Sequence, residues 1–287
     1  MSYRRRASPL HAARAGAGCA YCVALGCAAL LLSSPIALGA VVVAIVGAGI
    51  AAGLGREMRR AAPLAVTLAI VIALINALVT RDGLTVIVRL GDLPVLGHTD
   101  VTLEATVYGL ILGLRAVALI MCAALYTAAV DPDEVLQLFR RVSFRSALTA
   151  TLATRMVPVL VRDARRLTDA QRCRPGRPPS RVALMRAATS GVLDRALDVA
   201  AALEVRGYGR PGRLPSGRRP WSRHDLAFAA SAVGVLALSV AARVFNLAQF
   251  SAYPSLHAPV DVGTVAIALA IMACALLPFA DRRGVTR

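Results

Sequence analysis

The run Leu103–Phe139, LEATVYGLILGLRAVALIMCAALYTAAVDPDEVLQLF, sets two kinds of helix end to end. From Leu103 to Val130 it is apolar except for Glu104 near its start and Arg115 inside it. A bilayer crossing needs roughly 20 such residues, so this stretch is long enough to span. At Asp131-Pro132-Asp133-Glu134 the pattern changes. Asp131 suits a helix cap, Pro132 the first turn, and Glu134 the reciprocal position of a capping box. Val135, Leu136, Leu138 and Phe139 then form an apolar stripe at helical spacing, suited to a membrane surface or a protein core. A span that runs straight into a capped amphipathic helix points to an all-α, polytopic membrane protein.

The whole composition agrees. Hydrophobic residues make up 57% of the 287, and mean hydropathy is +0.64, too apolar for an ordinary soluble domain. Net charge is +17, carried by arginine alone, because none of the 33 basic residues is lysine. Nineteen arginines fall between Arg140 and Arg223. Only Phe139, Phe144, Tyr208 and Trp221 accompany them as aromatic residues, too few for a nucleic-acid surface. Crowding on one side of a membrane, with attraction to anionic lipid, explains the charge better. The cysteines mostly lie in apolar runs and read as small buried residues, Cys19-x-x-Cys22 included. The histidines are scattered without ligand spacing, and no metal site is expected.

Working outward from Leu103, the other spans follow. Gly18–Leu32 and Ile36–Leu54 form a hairpin about Ser33-Ser34-Pro35; that second run favours two spans over a cleaved signal peptide. Pro63 is expected to open a third span reaching Thr80. Residues 81–102 read as an external loop or a short hairpin, with β-like Thr85-Val86-Ile87-Val88 and turns at Gly91, Pro94 and Gly97. Beyond the arginine-rich segment come Leu226–Val244 and Val260–Phe279. Arginines alternate across these spans: Arg4, Arg5, Arg6, Arg14; none; Arg56, Arg59, Arg60; Arg81, Arg89; nineteen; none; Arg282, Arg283, Arg287. Six spans with both termini cytoplasmic satisfy that alternation. The expected division is a membrane region 1–130, a cytoplasmic helical region 131–223 and a second membrane region 224–287. Glu104 and Arg115, eleven residues apart, fall on nearly one face. We read Arg115 as bonding a neighbouring helix and Glu104 as sitting at the interface, rather than as a proton or ion path.

Inside 131–223 a bend is expected near Ser143. A second helix runs from Ser146 to Gln171, with Pro158 a kink, and stops at Pro175-Gly176-Arg177-Pro178-Pro179. Ser180 caps a third helix ending at Arg206, with Gly207 as C-cap. Its Val182, Met185, Thr189, Val192, Ala196, Val199 and Leu203 form a seam for another helix. Two arginine motifs, at Arg174 and Arg206, therefore sit at helix ends. A guanidinium there complements the helix dipole and carries five donors for a protein interface. Docking and simple solvation both satisfy that geometry.

The sequence resembles the transmembrane (T) component of energy-coupling-factor transporters, the cobalt-transport Q-subunit-like family. The resemblance covers most of the chain from about Asn76. It includes Thr102-Leu103-Glu104, Tyr108-Gly109, Gly113-Leu114-Arg115, Asp131–Leu136, Arg155–Pro158, Ala164-Arg165-Arg166-Leu167, Ala170-Gln171-Arg172 and, most specifically, Ala202–Tyr208. The family carries two Ala-Arg-Gly signatures at the ends of crossing coupling helices. Here they fall on Cys173-Arg174-Pro175 and on Val205-Arg206-Gly207, with Glu204 just before the second; both arginines are kept, while Ala is replaced twice and Gly once. The resemblance implies a non-catalytic, multi-pass subunit of the cell membrane. Its partners would be two ABC-type ATPases and a substrate-binding S subunit, importing a vitamin or transition-metal ion. The chain itself would bind no cofactor, ATP and Mg being used by the partner ATPases. No lysine is present for a phosphate-binding loop, so this is not the ATPase. The alternatives are a membrane enzyme acting on lipid phosphates, for which Asp131-x-Asp133-Glu134 is the one acidic cluster, and a permease or channel working alone.

Overall fold

A computed structural model describes residues 6–79, 86–93, 97–139, 144–173, 181–207, 220–247 and 262–281. Among the described residues the regular elements are helices, apart from one small hairpin. The helices are α1 Pro9–Ala12, α2 Ala15–Leu31, α3 Pro35–Ala51, α4 Gly55–Val79, α5 Leu103–Ala129, α6 Pro132–Phe139, α7 Phe144–Arg172, α8 Arg181–Val205, α9 Arg223–Val244 and α10 Val262–Leu276. A 3-10 turn, Leu277–Phe279, follows α10. Strands β1 Val86–Leu93 and β2 Gly97–Thr102 pair antiparallel between α4 and α5, where the β-like stretch was noted. The chain divides into two compact units, Met1–Val135 with Trp221–Arg287, and Leu136–Pro220.

In the first unit, α4, α5, α9 and the run Val262–Phe279 are each long and apolar enough to cross a bilayer. Helices α2 and α3 are equally apolar but have 17 residues each, about 25 Å. With them there are six apolar helices among the described residues, and the protein is a multi-pass membrane protein. Contacts sort the helix ends into two groups. At one end Arg6 bonds Glu57 (2.6 Å) and the Gly53 carbonyl, Arg14 meets Asp225, and Glu134 meets Ala15. At the other, Arg243 reaches Ser33 (3.4 Å) and the Thr264 hydroxyl donates to the Leu247 carbonyl (3.0 Å). Successive apolar helices therefore run in opposite directions.

The core lies where α2 packs on α9 and α5, and α3 on α10 and α5. Tyr21, Phe228 and Phe279 meet edge to face, with ring centres 5.2 to 6.2 Å apart. Such aromatic pairs contribute about 0.5–1.5 kcal/mol each beyond buried area. The Tyr21 hydroxyl donates to the Ala275 carbonyl at 2.8 Å, so this phenol is buried without an unmet donor. Arg115 crosses to α2, where its Nε and Nη donate to the carbonyls of Ala29 (3.1 Å) and Leu32 (3.0 Å). Those carbonyls close a helix and have no intrahelical partner. The end of α2 therefore lies beside the middle of α5.

Helix α4 packs chiefly on α5. Gly109 and Gly113 allow this: a Cβ at either would lie 2.9 Å from the carbonyl oxygen of Ala73 or Ala69. Small residues four apart let two membrane helices approach this closely. The start of α4 departs from expectation. It begins at Gly55, two turns before Pro63, and carries Arg56, Glu57, Arg59 and Arg60 in helical conformation. Pro63 removes one bond to the Arg59 carbonyl, but both residues are exposed, so the helix continues through it.

Candidate functional site

The second unit pairs α7 with α8. Asp163 and Arg195 form an ion pair across the two helices. The Arg195 guanidinium, with Arg166 and Arg162 nearby, holds the Asp163 carboxyl below the usual carboxylate range. Helix α7 runs unbroken through Pro158, where a kink was expected. The bend near Ser143 and the cap at Ser180 lie outside the described residues.

The seam predicted on α8 is rotated from the face that is actually shielded. Val182, Met185, Thr189, Val192 and Ala196 are exposed, and only Val199 and Leu203 of that set are half-buried. The half-buried positions Ala188, Arg195, Val199 and Leu203 recur every seven or four residues and share the face that bears the ion pair. Among the described residues, the ion pair Asp163–Arg195 joins α7 and α8 across this shielded face. Met185, Leu193 and Leu197 are left 62 to 69% exposed on the other faces.

The two arginine motifs fare differently. Cys173 closes α7, its N–H donating to the Asp169 carbonyl (3.2 Å), and is exposed. Arg174 and Pro175 lie outside the described residues. At the end of α8, Glu204, Val205 and Arg206 are all exposed, Val205 at 90%. The Arg206 N–H donates to the Ala202 carbonyl (3.2 Å) and the Gly207 N–H to the Glu204 carbonyl (2.9 Å). Gly207 takes φ 77°, the left-handed conformation in which a Cβ is costly. The helix thus stops at Arg206 and leaves the guanidinium at a terminus whose dipole favours a cation.

The remaining predicted positions lie in the first unit. Arg115 bonds the end of α2, and Glu104 is 3% exposed in the first turn of α5, whose cap is Thr102. The acidic cluster is occupied by helix starts. Asp131 accepts the Asp133 N–H (2.9 Å), and Glu134 accepts the Ala15 N–H (3.1 Å) from a distant helix. Among the described residues, no three His, Cys, Asp or Glu side chains converge as metal ligands. Two further pairings were missed in the sequence, Asp163–Arg195 and Arg14–Asp225. A signal existed for Asp225, because Ser222-Arg223-His224-Asp225 has capping-box spacing before an apolar run, and that box is formed.

Six apolar helices among the described residues of one unit, with an exposed arginine ending α8 in the other, define a multi-pass helical membrane protein. The chain belongs to the cobalt transport protein family (CbiQ), whose pattern matches residues 6–215. That match embraces α1 to α8 and both arginine motifs. No curated protein matches the sequence.

Proposed function

We propose that this chain is the energy-coupling subunit of an ECF-type ABC importer, in the cell membrane with both termini cytoplasmic. Residues 131–223 form its cytoplasmic coupling region. Two ABC-type ATPases dock on the helix tips, through Arg206 with Glu204, Val205 and Gly207, and through Cys173, Arg174 and Pro175. Closure of the ATPases on ATP displaces α7 and α8, and that displacement reaches a substrate-binding S subunit. The chain performs no catalysis and binds no cofactor of its own; nucleotide and Mg2+ belong to the ATPases. The imported substrate is a vitamin or a transition-metal ion, and the family description makes cobalt the first to test.

The observation that carries this reading is the end of α8. An exposed arginine beside a valine left 90% exposed, on a helix stopped by a left-handed glycine, is built for contact with another protein. A single exposed valine is ordinary by itself, but beside a guanidinium with five donors at a helix terminus it adds an apolar contact to a charged one. Apolar Met185, Leu193 and Leu197, uncovered along α8, provide further surface for partner subunits. The experiment is Arg206→Glu, expressed with the ATPases and purified from membranes. The variant should insert normally and lose the ATPases; undiminished co-purification would sink the docking role.

A further inference from the structure

The chain leaves the first unit after Val135 and re-enters it at Trp221. Beside each of these two crossings stands a carboxylate, and both carboxylates end on the same turn of backbone. Glu134 accepts the Ala15 N–H at 3.1 Å. Asp225, 2% exposed, accepts the Arg14 N–H at 2.6 Å. The Arg14 side chain completes the arrangement, its Nε 3.3 Å from Asp225 and its guanidinium 5.8 Å above the Trp221 ring. Asp225 also accepts the Ser222 N–H (2.9 Å) while the Ser222 hydroxyl accepts the Asp225 N–H (3.1 Å), which fixes the returning segment.

Helix α2 has no cap of its own. Arg14 stands at the capping position and makes no side-chain capping bond. Its first donors are instead satisfied from α6 and α9, by charged acceptors whose bonds are about twice as strong as neutral ones. A serine or aspartate at residue 14 would have served stability alone. The opposite end of α2 is held as well, by Arg115 on the Ala29 and Leu32 carbonyls. This makes α2 a strut fixed at both ends, one of them to the two roots of the α7–α8 segment.

Resting on the coupling function above, we propose that Glu134 and Asp225 are positioning residues of the transport cycle. They fasten both roots of the coupling region to the start of α2, and displacement of that region enters the membrane bundle through α2.

The test uses the complete complex in liposomes and the native cysteines Cys19 and Cys27, both half-buried on α2. Their modification rates by a maleimide, resolved peptide by peptide, are compared without nucleotide and with ATP plus vanadate. In the parent complex the rates should change several-fold between the two states. In Glu134→Gln/Asp225→Asn, which keeps side-chain volume and an acceptor oxygen at each site, most of that change should vanish while the ATPases stay bound and hydrolyse ATP. A nucleotide-dependent change that persists undiminished in the variant overturns the proposal, and so does its absence from the parent complex. If the parent chain retains no ATPases, the coupling function itself is wrong, a result separate from either.

Discussion

Arg115 is charged, lies within a membrane helix and bonds only backbone in its known contacts, which makes its contribution easy to isolate. Removing it leaves the Ala29 and Leu32 carbonyls without their donors where water is scarce. Arg115→Leu should lower unfolding free energy in detergent by about 1.5–3 kcal/mol, the usual worth of a bond to a charged group. Chemical denaturation in mixed micelles reads this directly, and a change within error would assign those carbonyls to other donors. Asp163 makes a different prediction, in pH. Its carboxyl is held below the ordinary value of 3.8 by Arg195, so the ion pair contributes fully above that value. The contribution lapses as pH falls through the lowered one. Spin labels on α7 and α8 should keep their separation from neutral pH down to roughly pH 4 and spread below it. In Asp163→Asn the spread should be present at every pH; a separation indifferent to both changes would show that the pair does not set the helix spacing.

Among the elements, the α4–α5 contact and the exposed middle of α8 offer opposite tests of glycine. Gly113→Val places a branched side chain 2.9 Å from the Ala69 carbonyl oxygen, and should cost about 1–3 kcal/mol by overpacking. Gly191→Ala on α8 meets no atom within 4 Å and should gain about 0.5–1 kcal/mol. Thermal unfolding of both variants checks the pair, and equal shifts would refute the close approach of α4 to α5. Elements of this kind were legible in the sequence wherever the signal is local. Hydropathy marked all six apolar helices, Asp131 marked the start of α6, and Gly207 marked the end of α8. Hydropathy placed the start of α4 at Pro63 because it registers entry into the apolar zone, whereas the helix begins in the polar turn before it. The seam on α8 was misplaced for a related reason. An apolar pattern says which faces can pack, while the face that does pack bears an ion pair between residues 32 apart in sequence. Glu134 is the plainest case: its local setting suggested a capping box, and its observed partner is 119 residues away.

At the scale of the molecule, sidedness is the property on which everything else depends. Cys173 is the one exposed cysteine among the described residues, and it stands at the tip of α7. A membrane-impermeant maleimide should label it in inside-out vesicles and leave it unmodified in right-side-out ones. The reverse pattern would invert the orientation and put α7 and α8 out of reach of the proposed cytoplasmic ATPases. The pairing of helices also bears on how the chain is made. Helices α4 and α5, joined by the β1–β2 hairpin, are neighbours in sequence and can associate as soon as both have left the ribosome. Helix α2 must wait: its aromatic partner Phe228 and the carboxylate that holds Arg14 are translated only after the entire arginine-rich segment. The N-terminal hairpin therefore spends most of synthesis without the helices that complete its packing. A nascent chain halted before Trp221 should be the form that membrane quality control destroys first.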